Sequence, residues 1–130
     1  MNPFHFITGL ALAGALGTLA RYGVGCTSTA LFGTSYPYGT FIVNVLGSFL
    51  FGLLTGVPQI PTQWRIILLT GFLGGFTTFS AFASENYHLL EQHRYVPFFI
   101  NVAGQNILGI VAVLAGLVLA ASFFPQITQH

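Results

Sequence analysis

Lysine and aspartate are absent from this 130-residue chain. Arg21, Arg65, Arg94, Glu85 and Glu91 are its only charged residues, 4% of the total. Water-soluble domains carry about 25% charged residues, so most of this surface cannot be wet. A net charge of +1 with so few cations leaves no basic stripe and excludes nucleic acid as a partner. Cys26 is the single cysteine, which excludes an intrachain disulfide and a Cys-rich metal centre. No nucleophile–base pair or histidine cluster stands at useful spacing, so nothing points to an enzyme. The basic stretch that opens a signal peptide is also missing, so the first apolar run reads as a retained membrane span. What is present is apolar: 54% of residues are hydrophobic, with 14 Phe and 16 Gly. The chain reads as an integral membrane protein in a lipid bilayer.

A helix needs about 20 mostly apolar residues to cross roughly 30 Å of hydrocarbon. Four segments meet that length, at about 4–26, 38–57, 64–88 and 96–124, in one four-helix transmembrane domain covering 1–130. The runs lack the alternation of a β-barrel, so the fold class is all-α. Small residues recur at helical spacing: Gly9, Ala13 and Gly17 on the first span, Ser48, Gly52 and Gly56 on the second. Such faces allow close helix contact in lipid. Four short spans enclose little space, so a solute route calls for an oligomer. By the count of arginines at helix ends, Arg65 lies on one side and Arg94, with Arg21, on the other. That bias is too small to fix one orientation, and an antiparallel dimer becomes possible.

Polar side chains inside the spans narrow the function, because each must find a partner or line a cavity. Asn44 is mid-span, with Thr40 one turn earlier on the same face. It is either an interhelical hydrogen bond or a donor lining a pathway. Arg21, near the end of the first span, is either a snorkelling anchor or the source of an electropositive vestibule. Asn101 and Gln105 share a face of the last span as a possible polar track. His88 and Glu91 fall in the third connector and make only a weak metal motif.

The stretch Gly71–Glu85, GFLGGFTTFSAFASE, carries three glycines, four hydroxyls and a carboxylate within an apolar segment. Gly71, Gly74 and Gly75 weaken helical continuity and predict a break in the third span. Carbonyls freed there must be satisfied inside the protein, and a cation is one solution; Gly74 and Thr77 are the carbonyls that would serve. Phe79 and Phe82 are three apart and share a face. Aromatic stripes are commonly core, but a phenyl ring also has a positive edge. Two ring edges with hydroxyls could hold a small anion without a fixed charge and let it leave again.

Gly71–Glu85 resembles the signature of the Fluc (CrcB) family of bacterial fluoride channels. Gly39–Asn44 with Gly47-Ser48-Phe49, and Gly14–Gly23 with Arg21, resemble its second- and first-span patterns. The resemblance covers most of the chain. It implies a passive channel that lets fluoride leave the cytoplasm through the inner membrane. It implies an antiparallel, dual-topology homodimer with two pores and a structural Na+ at the interface. Asn44, Phe79 and Phe82 match the family's pore residues, and Thr40, Ser80 and Glu85 its polar track. Arg21 matches a vestibule arginine, and Gly74 and Thr77 match the sodium-binding carbonyls. The chain departs from the pattern at Phe76, Ala81 and Ala83, the last two removing hydroxyls, and at Asn101 and Gln105 in the last span. The alternative is a small proton-coupled multidrug-type transporter, whose class uses a carboxylate in the first span; residues 4–26 contain none.

Overall fold

A computed structural model describes residues 1–124 as a wholly helical bundle. α1 (Pro3–Phe32) starts where the Asn2 side chain accepts the Phe4 N–H at 2.9 Å, with proline in the first turn. It ends at Gly33, whose φ of 75° is one that side-chain-bearing residues resist. α2 (Tyr38–Thr55) follows Pro37. The third span begins after Pro61 as α3 (Thr62–Ile66), passes into a π-helical segment (Ile67–Leu73), and ends its first half with α4 (Gly74–Phe76). Thr77 and Thr78 are extended, and α5 (Phe79–Glu91) resumes the span. α6 (Tyr95–Phe123) is the last.

Four helical units, with the interrupted third counted from Thr62 to Glu91, are long and apolar enough to cross a membrane. Two of them exceed the expected bounds. At 1.5 Å per residue, the 30 residues of α1 reach about 45 Å. Arg21 therefore lies well inside α1 rather than near its end. α5 likewise takes in His88 and Glu91, so the third connector is only Gln92–Arg94.

Small residues let backbones meet. At Gly17 a methyl would overlap the Phe72 carbonyl, and at Gly75 the Gly14 carbonyl, so α1 lies directly on the π segment and α4. Gly52 faces the Val113 backbone and Gly116 the Phe49 carbonyl, which seats α2 on α6. Gly71, Gly74 and Gly75 were expected to break the third span, yet all three stay helical. Gly71 and Gly75 serve close approach to α1 instead. The interruption falls one turn later, at Thr77-Thr78. The apolar core is thin, with Val43, Leu73 and Phe76 at its centre. Large apolar side chains elsewhere, such as Leu12, Leu16, Ile107 and Val118, point outward, as a lipid-facing surface requires.

Candidate functional site

The break in the third span is closed by a side chain from α2. Asn44 Oδ1 accepts the Thr78 N–H at 2.8 Å, and Asn44 Nδ2 donates to the Thr78 carbonyl at 3.1 Å. The same Nδ2 donates to Gln105 Oε1 at 2.7 Å. An asparagine amide has two donor hydrogens, and both are engaged. Asn44 thus replaces the helical partners that Thr78 loses, which is necessary where no water can do so.

The diverted donors leave carbonyls behind. In an unbroken helix Thr78 N–H would reach Gly74 O, and Ala81 N–H would reach Thr77 O. Here the first goes to Asn44 and the second to Thr78 Oγ1 at 3.2 Å. Gly74 and Thr77 therefore carry carbonyls without their helical donors, and both line a cavity of about 360 Å³ with Asn44, Thr78 and Phe79. Carbonyl oxygens of that kind fit a hard cation such as sodium. Among the described residues no three His, Cys, Asp or Glu side chains gather to hold a metal.

The Thr78 hydroxyl caps α5 and so sets the direction of its first turn. That turn presents the rings of Phe79 and Phe82, centroids 5.6 Å apart and inclined at 44°. Phe79 is 79% exposed on the single chain, while Phe82 is half-buried. Ser80 is exposed, its hydroxyl 3.3 Å from that of Thr78.

One and two turns further, Glu85 and Asn86 tie α5 to its neighbours. Thr40 donates its hydroxyl to Glu85 Oε1; Glu85 Oε2 is buried and has no partner among the described residues. Both residues line a second cavity, of about 790 Å³, with Tyr36, His88 and Arg94. Arg94 is the arginine among its lining residues, and Arg21 is not one of them.

Asn101 and Gln105 are both buried, Asn101 completely. Gln105 Nε2 donates to Asn101 Oδ1 at 2.9 Å, and the Tyr36 hydroxyl donates to the same oxygen at 3.1 Å. Asn101 Nδ2 donates to Asn86 Oδ1 at 3.1 Å, and Asn86 Nδ2 to the Phe82 carbonyl at 2.8 Å. Tyr36 and Asn86 escaped sequence reasoning. Asn86 carried a usable signal, since it continues the Phe79–Phe82 face by one turn. Tyr36 sits in a connector and gave none. Burial, with Tyr38 and Glu85 nearby, pushes the Tyr36 phenol above its ordinary range, so it stays a donor at neutral pH.

The four spans and the buried amides define a multi-pass α-helical membrane protein with a polar site at an interrupted helix. Residues 8–117 match the family described as CrcB-like protein, Camphor Resistance (CrcB), and the chain belongs to that family. It is similar to the fluoride-specific ion channel FluC of Solidesulfovibrio magneticus, 49% identical over 85% of this chain and 91% of that protein. The protein of the same name from Caulobacter sp. (strain K31) is 43% identical over 88% of this chain and 94% of its own length. That from Chloroflexus aurantiacus (strain J-10-fl) is 40% identical over 90% and 96%. These relatives are named as ion channels, and the chain stands with them as a multi-pass bacterial membrane protein rather than with any enzyme.

Proposed function

We propose that this protein is a fluoride-selective channel that lets the anion leave the cytoplasm passively and so lowers its toxicity. The observation that carries this reading is the turn after the break. It sets the Phe79 and Phe82 rings 5.6 Å apart beside hydroxyls and with no cation among the residues that line the adjoining cavity. Ring edges and hydroxyls attract a small anion weakly enough to release it, which conduction requires. The names of relatives 40–49% identical over most of the chain support the same ion.

Two antiparallel copies would form the working unit, each contributing to one of two pores. The exposure of Phe79 on the single chain supports a partner that covers it. A structural sodium ion would be held by the Gly74 and Thr77 carbonyls of each copy, where it would satisfy oxygens that the break has stripped of donors. Glu85, Thr40 and Ser80 would line the route, and Arg21 and Arg94 would raise the local anion concentration. Asn44 acts here by shaping the break. It can give a hydrogen to fluoride only by releasing Gln105 or Thr78.

Efflux from liposomes holding the purified protein, followed with a fluoride-selective electrode and a chloride control, tests the proposal. Fluoride release without chloride release is expected, with loss of release in Phe82→Ile. Absent fluoride release, or equal release of the two anions, refutes it.

A further inference from the structure

α5 is fastened by hydrogen bonds more than by apolar packing. Of its thirteen residues only Asn86 and Leu89 are buried, so Leu89 is its one buried apolar anchor. Its ties to α2 and α6 are polar: Thr78 at its cap to Asn44, Glu85 to Thr40, and Asn86 to Asn101. Gln105 and Asn101 join the first and last of these into one chain, from Thr78 through Asn44, Gln105, Asn101 and Asn86 to the Phe82 carbonyl. The two ends of that chain grip the two ends of the turn bearing Phe79 and Phe82.

We infer that Asn101 and Asn86 are positioning residues for the ring-bearing turn. Asn101 is the hub of the frame that fixes α5 against α6. It is fully buried, accepts from Gln105 and Tyr36 through one oxygen, and spends an Nδ2 hydrogen on Asn86. Asn86 is held in that pose by its own bond back to Phe82 O. Removing the hub frees α5 to shift, and the rings shift with it. The selective role rests on the fluoride-channel reading, but the mechanical role does not.

The two are separated by two readouts on the full-length protein in lipid nanodiscs and liposomes. The first is backbone amide exchange over residues 79–91, which reports the hold on α5 whatever the protein transports. The second is fluoride efflux with its chloride control. Asn101→Leu is expected to speed exchange across α5 by about three- to tenfold, the range for one interhelical hydrogen bond, and to lower fluoride efflux or admit chloride. Asn101→Asp supplies a matched replacement. Its protonated carboxyl offers one acceptor oxygen and one O–H donor, as the amide does, whereas its carboxylate lacks the donor and faces Asn86 Oδ1. Burial favours the neutral form. Measured as protection relative to the intrinsic exchange rate at each pH, Asn101→Asp is therefore expected to stay protected at mildly acidic pH and lose protection as pH rises, with wild-type protection flat over the same interval. Wild-type-like exchange in Asn101→Leu overturns the inference, as does equal and pH-independent loss in both variants. Faster exchange in Asn101→Leu with unchanged flux and selectivity overturns the link to the rings. A wild type that passes no fluoride refutes the channel reading and leaves the exchange result to decide the frame.

Discussion

Asn44→Leu is the substitution whose cost the geometry fixes best. It keeps a side chain of similar reach and removes three hydrogen bonds: two to the backbone of Thr78 and one to Gln105 Oε1. Interhelical bonds in membrane proteins average about 0.6 kcal/mol and reach about 2. A buried group left unpaired costs about 1–3 kcal/mol. Three lost contacts bound the change at roughly 2–6 kcal/mol, and leucine returns little, because lipid is as apolar as the bundle interior. A value of about 3 kcal/mol is the expectation, a factor of more than about 100 in the population of the closed break. Ser48→Ala is the control, since its hydroxyl bonds only to the Asn44 carbonyl in its own helix. Unfolding in mixed detergent gives the free energy, and the exchange rate of the Thr78 amide gives the local effect. A loss under about 0.5 kcal/mol, the scale of inconsequential surface changes, with Thr78 still protected, would refute the claim that Asn44 closes the break.

Three further outcomes follow from the packing and the connector. Gly17→Ala places a methyl on the Phe72 carbonyl, backbone that cannot yield, and should cost about 1–3 kcal/mol; Gly23→Ala meets nothing within 4 Å and should not destabilise by thermal unfolding, gaining up to about 1 kcal/mol of helix propensity. The Tyr36 phenol, raised by burial and then by Tyr38 and Glu85, contributes stability that is complete below the ordinary phenol range near about 10. That contribution is lost as pH rises through the folded-state value, and Tyr36→Phe should flatten this alkaline fall in the unfolding midpoint. Thr77→Ala removes a hydroxyl bonded to the Leu73 carbonyl but keeps the Thr77 carbonyl. On the proposed sodium site, its dimer should retain the sodium dependence of the wild type, measured by cross-linking yield in sodium against a large organic cation.

Hydropathy made the four spans legible, but α1 outruns its apolar window. Thr27 is tolerated in the helix because its hydroxyl bonds back to the Gly23 carbonyl at 2.9 Å, which no window average registers. The glycines pointed to the right span and the wrong mechanism. A glycine run lowers helical propensity, yet close contact with α1 keeps Gly71 and Gly75 helical. The break falls instead where Asn44, 34 residues earlier, offers Thr78 an alternative pair of partners. That pairing is a tertiary event, and local propensity contains no trace of it. Asn101 and Gln105 were visible as a shared polar face, and Asn86 was legible as a continuation of the Phe79–Phe82 face, whereas Tyr36 became visible only once the helices and a connector had been brought together.

Donor accounting along the amide chain alters which residues can meet an anion. Asn44 has spent both hydrogens within the chain, on Thr78 O and Gln105 Oε1. Gln105 Nε2 spends one on Asn101 Oδ1, and Asn86 Nδ2 spends one on the Phe82 carbonyl. Each of these amides has a second hydrogen with no hydrogen-bond acceptor among the described residues. A strongly hydrated anion gives up water only where donors are already free, since taking one from a buried partner costs the desolvation of that partner as well. On the proposed reading, Asn44 therefore serves fluoride only at the cost of a bond to Thr78 or Gln105, and the exposed Ser80 hydroxyl beside the Phe79 and Phe82 rings is the less encumbered donor. Asn44 holds the backbone in the shape from which that turn starts.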